Sequence, residues 1–396
     1  MNWTQEIRSI LLIGIVFLIP LVRLSLEDFS ATRHTWSWLT LFSFSIITIF
    51  ILNHKDVQRK NIILPLICIL FLLGSSIIAT YPANALSFLF MVAAIAFAYA
   101  ASSFLTRKNV RAFCLTLLCA ISLYAQWGIA QFIIQHDFHM QFIGESIINA
   151  NTSGVASFYI DGQKYIRAYG PFGHANSLSG ILLIGCLLLA AMRIRHPLFI
   201  YSLGATFALG LVLTFSRSAI IAGIALALYA LILYKRKAIL LILLIIALFS
   251  PLILGRSVDS HDVAAHDRLQ GLQWGMQMST PSSLLRGYGI GNYETALQAY
   301  LMRHGIRHNA WDVAPIHSTP IHIIAEFGII LSSIIMFGIF YIIKKNNLWI
   351  LGFLLPPLLL DHYYITQLGP LIYLISCAII LSRVYYKREQ ANNIVH

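Results

Sequence analysis

Three residues stand out because their types and neighbours invite anion chemistry. Arg217 sits in "LTFSRSAIIAG", between two apolar runs with only serines beside it. A guanidinium at bilayer depth costs about 2.5–3.5 kcal/mol, so such a charge asks for a bound anion or a carboxylate partner. The plain alternative is a side chain snorkelling to the interface at a tight turn. Arg268 lies in "HDVAAHDRLQ". Two guanidinium forks brought together would suit a diphosphate. In the same stretch His261 and His266 are five apart, which misses the i, i+4 alignment of a helical chelate, so no metal site is expected. His317 occurs in "PIHSTPIHIIAEFGII". Pro320 suits a first helical position, which predicts Thr319 as the N-cap and places His317 just outside a helix N-terminus. Such termini attract anions, so His317 is poised beside a natural phosphate position, unless it is simply a structural loop residue. His322 falls about 140° from His317 if the helix is extended back, and it pairs more naturally with Glu326 four residues on. "RGYGIGNY", 286–293, is rich in glycine but lacks the strand–helix context of a nucleotide fingerprint, so it reads as a turn that brings a loop back.

The elements that must carry these residues are apolar. The chain has 396 residues, 58% hydrophobic and 11% charged, against about 25% charged in soluble domains. Twelve runs are apolar and long enough to cross a hydrocarbon layer of about 30 Å: 8–24, 36–53, 61–79, 84–105, 112–134, 171–192, 198–214, 218–234, 238–254, 318–343, 347–365 and 369–386. The five cysteines all lie in these runs and propose neither a disulfide framework nor a metal cluster. Basic residues cluster in alternate loops, at Lys55–Lys60, Arg107–Arg111, Arg193–Arg195, Lys235–Lys237, Lys344–Lys345 and Arg383–Arg388. By the positive-inside rule those loops and both termini are cytoplasmic. The net charge of +12 is then a matter of topology and calls for no nucleic acid. The expected fold is an all-α integral membrane protein, one polytopic domain over 1–396 with about twelve transmembrane helices. Three outer segments are too long or too polar for simple turns: 135–170, 361–369 and above all 255–317, a large extracytoplasmic loop expected to hold short surface helices. Arg167, His174, Asn176, Ser318, Asp361 and His362 face the same side and are available to a ligand there; His174 and Asn176 are equally placed to cap a helix.

In order along the chain, "RAYGPFGHANSLSG", "LTFSRSAIIAG", "DRLQGLQWGMQM…RGYGIGNY", "IHSTPIHIIAEFGII" and "DHYYITQLG" resemble the motif blocks of the O-antigen ligase superfamily of bacterial polytopic glycosyltransferases. That group also includes O-antigen polymerase-like proteins and protein O-oligosaccharyltransferases. The resemblance covers roughly 165–370; Ser318 stands where asparagine is common, and Leu331 departs from the usual residue.

The resemblance implies a GT-C-like membrane enzyme that needs no metal or other cofactor. It would move a glycan from a polyprenyl-diphosphate carrier to an acceptor hydroxyl on a lipid or glycan, at a site open to the periplasm, in the bacterial inner membrane. It assigns His317 to activating the acceptor hydroxyl and Arg217 and Arg268 to holding the diphosphate. The chemistry is consistent: rupture of an anomeric C–O bond leaves negative charge on the departing diphosphate, and a histidine of ordinary pKa ~6.5 suits a base near neutrality. Surface-polysaccharide ligation is the leading expectation, with polymerisation or transfer to protein as alternatives in the same group. A lipid-linked glycan flippase is the alternative from another class. It would place charges along a path through the bilayer or show related half-repeats, whereas the expected spans are almost free of charge, Glu326 being the main exception.

Overall fold

The computed structural model describes residues 107–140, 145–152, 154–160, 163–192, 196–234, 263–289, 291–306, 313, 315–345 and 349–361. The expected spans 8–24, 36–53, 61–79, 84–105, 238–254 and 369–386 lie outside the described residues, as does His362.

The described chain is mostly helical. Helix α1 (Arg107–Ile134) is followed by an antiparallel hairpin of β1 (Ser157–Ile160) and β2 (Gln163–Ile166), with Ser157 opposite Ile166. This hairpin is an addition to the helical fold expected from the sequence. Its sequence signal is the dipeptide Asp161–Gly162 between "SFYI" and "QKYI", the residue pair that two-residue hairpin turns favour. Three apolar helices come next: α2 (Ala175–Ala191), α3 (Pro197–Leu213) and α4 (Arg217–Tyr234). They occupy the runs read as spans. Helix α2 is apolar all round and buried along nearly its whole length, the signature of a central helix. Its Leu178, Ile181 and Leu182 pack in one core with Leu117, Leu118 and Ile121 of α1 and Phe207 and Leu211 of α3.

The long loop carries three short helices: α5 (Val263–Met278), α6 (Pro281–Arg286) and α7 (Tyr293–Arg303). Trp274 and Met278 close on Tyr293, Leu297 and Leu301, with Val313 and Ile316, as a separate small core. The loop is therefore a folded cap.

Helix α8 (Thr319–Lys345) follows, and it is broken at Gly328, whose φ of 73° and ψ of 165° are not helical. Its first half, 319–327, holds buried His322 and Glu326; in its second half Ile329, Ile330, Ile334, Phe337 and Phe340 face outward. The run read as a span at 347–365 forms no single α-helix. It opens as a 3₁₀ segment (Trp349–Leu354), continues as α9 (Leu355–Leu360), and the description ends at Asp361. Pro356 and Pro357 account for this: neither ring supplies an N–H, and each would clash with the carbonyl four residues back if an α-helix ran through them. By length and composition two of the described helices can cross a membrane, at Leu117–Ile134 and Thr319–Phe337, beside three shorter apolar ones.

Candidate functional site

Three segments far apart in sequence meet at one buried carboxylate. Asp361, at the end of α9, is 4% exposed. Its Oδ2 accepts a hydrogen bond of 2.6 Å from Asn176 Nδ2 in the first turn of α2. The Asn176 Oδ1 in turn accepts from Arg167 Nη2 at 2.6 Å. Arg167 Nε donates to the carbonyl of Thr214, at the end of α3. From the capping loop, Arg268 Nη2 approaches Asp361 Oδ2 at 3.9 Å, with its side chain still 39% exposed. The order of contact is thus Arg167–Asn176–Asp361–Arg268, alternating donors and acceptors so that no charge is buried without a partner.

The backbone of Asp361 completes the junction. Its carbonyl accepts from both Thr319 N–H, at 3.0 Å, and Thr319 Oγ1, at 2.8 Å. This corrects the expected cap. With its hydroxyl spent on Asp361, Thr319 is the first helical residue, and the carbonyl of Ser318 accepts the first intrahelical bond, from His322 N–H at 2.8 Å. Ser318 is the N-cap, and half-exposed His317 stands immediately before it.

His174 is the N-cap of α2, its Nδ1 accepting from Asn176 N–H at 3.1 Å. Of the two cap candidates only His174 caps; Asn176 serves the network. Tyr169 lies beside it, its hydroxyl bonded to Ala156 N–H. Burial pushes the Tyr169 phenol up from its ordinary pKa, opposed by that hydrogen bond and by the charge of Arg167.

Arg217 opens α4 and is exposed, three residues past the Thr214 that holds Arg167. The intervening turn is held by Phe215, a non-glycine residue at φ 51°. A left-handed bulky residue costs about 1–2 kcal/mol and persists where its surroundings over-determine it. Here the ring is buried and stacked on Phe158 of the hairpin, centroids 4.1 Å apart. The hairpin thus fixes the turn that presents Arg217. The structure joins Arg167, Asn176, Arg268 and Asp361 directly and ties the His317 turn to them through Thr319. Arg217 is linked to the cluster through its own turn.

Sequence reasoning missed the second anchor of the first half of α8. The carbonyls that the break at Gly328 frees from the helical ladder are taken by the glycine-rich loop: Ala325 by Tyr288 N–H at 2.9 Å, and Glu326 by Gly289 N–H at 3.0 Å. The Glu326 carboxyl accepts from Gly291 N–H at 3.0 Å and lies 3.7 Å from His322 Nε2, the pairing expected from their spacing. The two backbones touch. A Cβ on Gly328 would stand 2.1 Å from the carbonyl oxygen of Leu285, and one on Gly287 2.1 Å from that of Glu326. Both glycines have φ near +75°, so geometry and space exclude a side chain at either. The sequence clue was the pair of glycines in "RGYG" and "AEFG", which acquire meaning only once they are known to meet. The segment 319–327 is therefore held at both ends, by Asp361 and by the 288–291 loop. Burial pushes the phenol of Tyr293, next to that loop, up from its ordinary pKa.

In the comparisons with known proteins, no family model matches the chain and no curated protein sequence matches it.

Proposed function

We propose that this chain is a membrane glycosyltransferase of the O-antigen ligase type, using a polyprenyl-diphosphate-linked glycan as donor. The observation that supports it best is the Arg167–Asn176–Asp361–Arg268 network, buried except at Arg268 and built against the turn that carries His317. In this reading His317 removes the proton of the acceptor hydroxyl as its oxygen attacks the anomeric carbon. The bond from that carbon to the diphosphate oxygen breaks, and the polyprenyl diphosphate leaves with the electron pair. Arg217 and the exposed part of Arg268 meet the charge on the leaving group. Asp361 and Asn176 hold Arg268 and Arg167 in place rather than touching the reacting atoms. The apolar helices carry the donor's lipid within the bacterial inner membrane, and the site faces the periplasm.

The test replaces His317, Arg217 and Arg268 singly with alanine and measures glycan transfer from lipid-linked donor in membranes matched for protein content. Loss of a general base lowers the rate about 10²–10⁴-fold. Loss of a group that stabilises developing charge lowers it about 10²–10³-fold. Undiminished transfer in the His317→Ala protein would overturn the mechanism. Deleting the protein from cells separates the acceptors: free polymer on the carrier marks a ligase, and a single repeat unit on the acceptor marks a polymerase.

A further inference from the structure

Helix α6 contributes no buried residue to the fold, yet it is fixed by backbone contact to the middle of an apolar helix. It exposes Leu284 (48%) and Leu285 (53%). Across the Gly287–Gly328 contact, α8 exposes Ile329 and Ile330, and the same outward face continues through Ile334 and Phe337. The leucines of the loop and the isoleucines of α8 thus lie on either side of one contact.

The position of this contact along α8 sets its depth. Sixteen residues separate Gly328 from the Lys344–Lys345 pair, about 24 Å of helix at 1.5 Å per residue. A hydrocarbon layer is about 30 Å thick. With the lysines at one boundary, Gly328 and α6 fall close to the other. Any backbone at that depth must satisfy its polar groups without water. Helix α6 does so. Its N-terminus closes in a capping box, Ser283 N–H to Thr280 Oγ1 and Thr280 N–H to Ser283 Oγ. At its other end Gly287 N–H bonds Ser283, and the next two N–H groups bond Ala325 and Glu326. Arg286, exposed in the last turn, has a stem long enough to lie along lipid with its guanidinium among headgroups.

We propose that Thr280–Arg286 is a lipid anchor, with Leu284 and Leu285 seated in the acyl chains at the bilayer edge away from Lys344. The loop over the site is then moored to the membrane as well as to α8. This rests on the membrane reading of α8, and the experiment separates the two. In full-length protein with its five native cysteines replaced, single cysteines at 285, 298 and 337 are spin-labelled and reconstituted in phosphatidylcholine liposomes. Collision with oxygen, which concentrates in lipid, is compared with collision with a water-soluble nickel chelate. Phe337→Cys reports the membrane reading and Gln298→Cys, on exposed loop surface, reports water. The proposal expects the label at 285 to favour oxygen severalfold over its value at 298 and to approach 337. Nickel access at 285 equal to that at 298, with 337 in lipid, overturns the anchor alone. Shielding of 285 from both probes means that protein covers the leucines and overturns it too. Nickel access at 337 overturns the membrane reading of α8 and the anchor with it.

Discussion

Removing Asp361 is the sharpest test of the network, because its two side-chain partners should respond differently. Its bond to Asn176 is short, buried on both sides and made to an ionised acceptor. Such bonds contribute about 1.5–3 kcal/mol. The approach of Arg268 at 3.9 Å would be worth about 4 kcal/mol at an effective dielectric of 20. The Arg268 side chain is 39% exposed, however, and solvent screening reduces such pairs to about 1 kcal/mol or less. A double-mutant cycle on Asn176→Ala and Asp361→Ala should therefore return a coupling of about 1.5–3 kcal/mol. A second cycle on Arg268→Ala and Asp361→Ala should return less than about 1 kcal/mol. Asp361→Asn keeps an acceptor for Asn176 and should cost about 1 kcal/mol alone. The assay is reversible unfolding of purified protein in detergent, with unfolding slopes compared so that differences report the folded state. A first coupling below about 0.5 kcal/mol, or a second larger than the first, would show that the carboxylate does not organise the cluster in this way.

Two further outcomes follow from the junction of α8 with the loop. Gly328→Ala places a Cβ 2.1 Å from the Leu285 carbonyl oxygen in a left-handed conformation; it should lose more than about 2 kcal/mol and open 279–292 to limited proteolysis. Gly271→Ala, in α5 with nothing within 4 Å of its Cβ, should gain about 0.5–1 kcal/mol instead, and the opposite signs are the check. Glu326→Ala strips Gly291 N–H of its acceptor and should cost about 1–3 kcal/mol with faster exchange of that amide, whereas Glu326→Gln keeps an acceptor and should cost less.

The helices around the site were legible in the sequence because an apolar run of fixed length has few alternatives. Expected spans at 112–134, 171–192, 198–214 and 218–234 each contain or closely match a helix of the structure. Arg167, Asn176, Arg268 and Asp361 were each singled out, but as separate binders of substrate. Their bonds to one another were invisible, since 185 residues separate Asn176 from Asp361 and no local pattern encodes such a pairing. The break at Gly328 was hidden for a related reason. A glycine in an apolar run reads as a packing allowance until a second backbone is known to press against it. Thr319 was misread as the cap because the competing acceptor, the Asp361 carbonyl, lies 42 residues away.

That long separation also has a meaning in time. A chain made at about 5–20 residues per second takes roughly 10–40 s to add the 185 residues between Asn176 and Asp361. Through that interval Asn176 and its donor Arg167 have been synthesised while the carboxylate that accepts from the Asn176 amide has not. The site is therefore a late product of synthesis, and a chain stopped at residue 360 would carry most of its residues without the one that joins them.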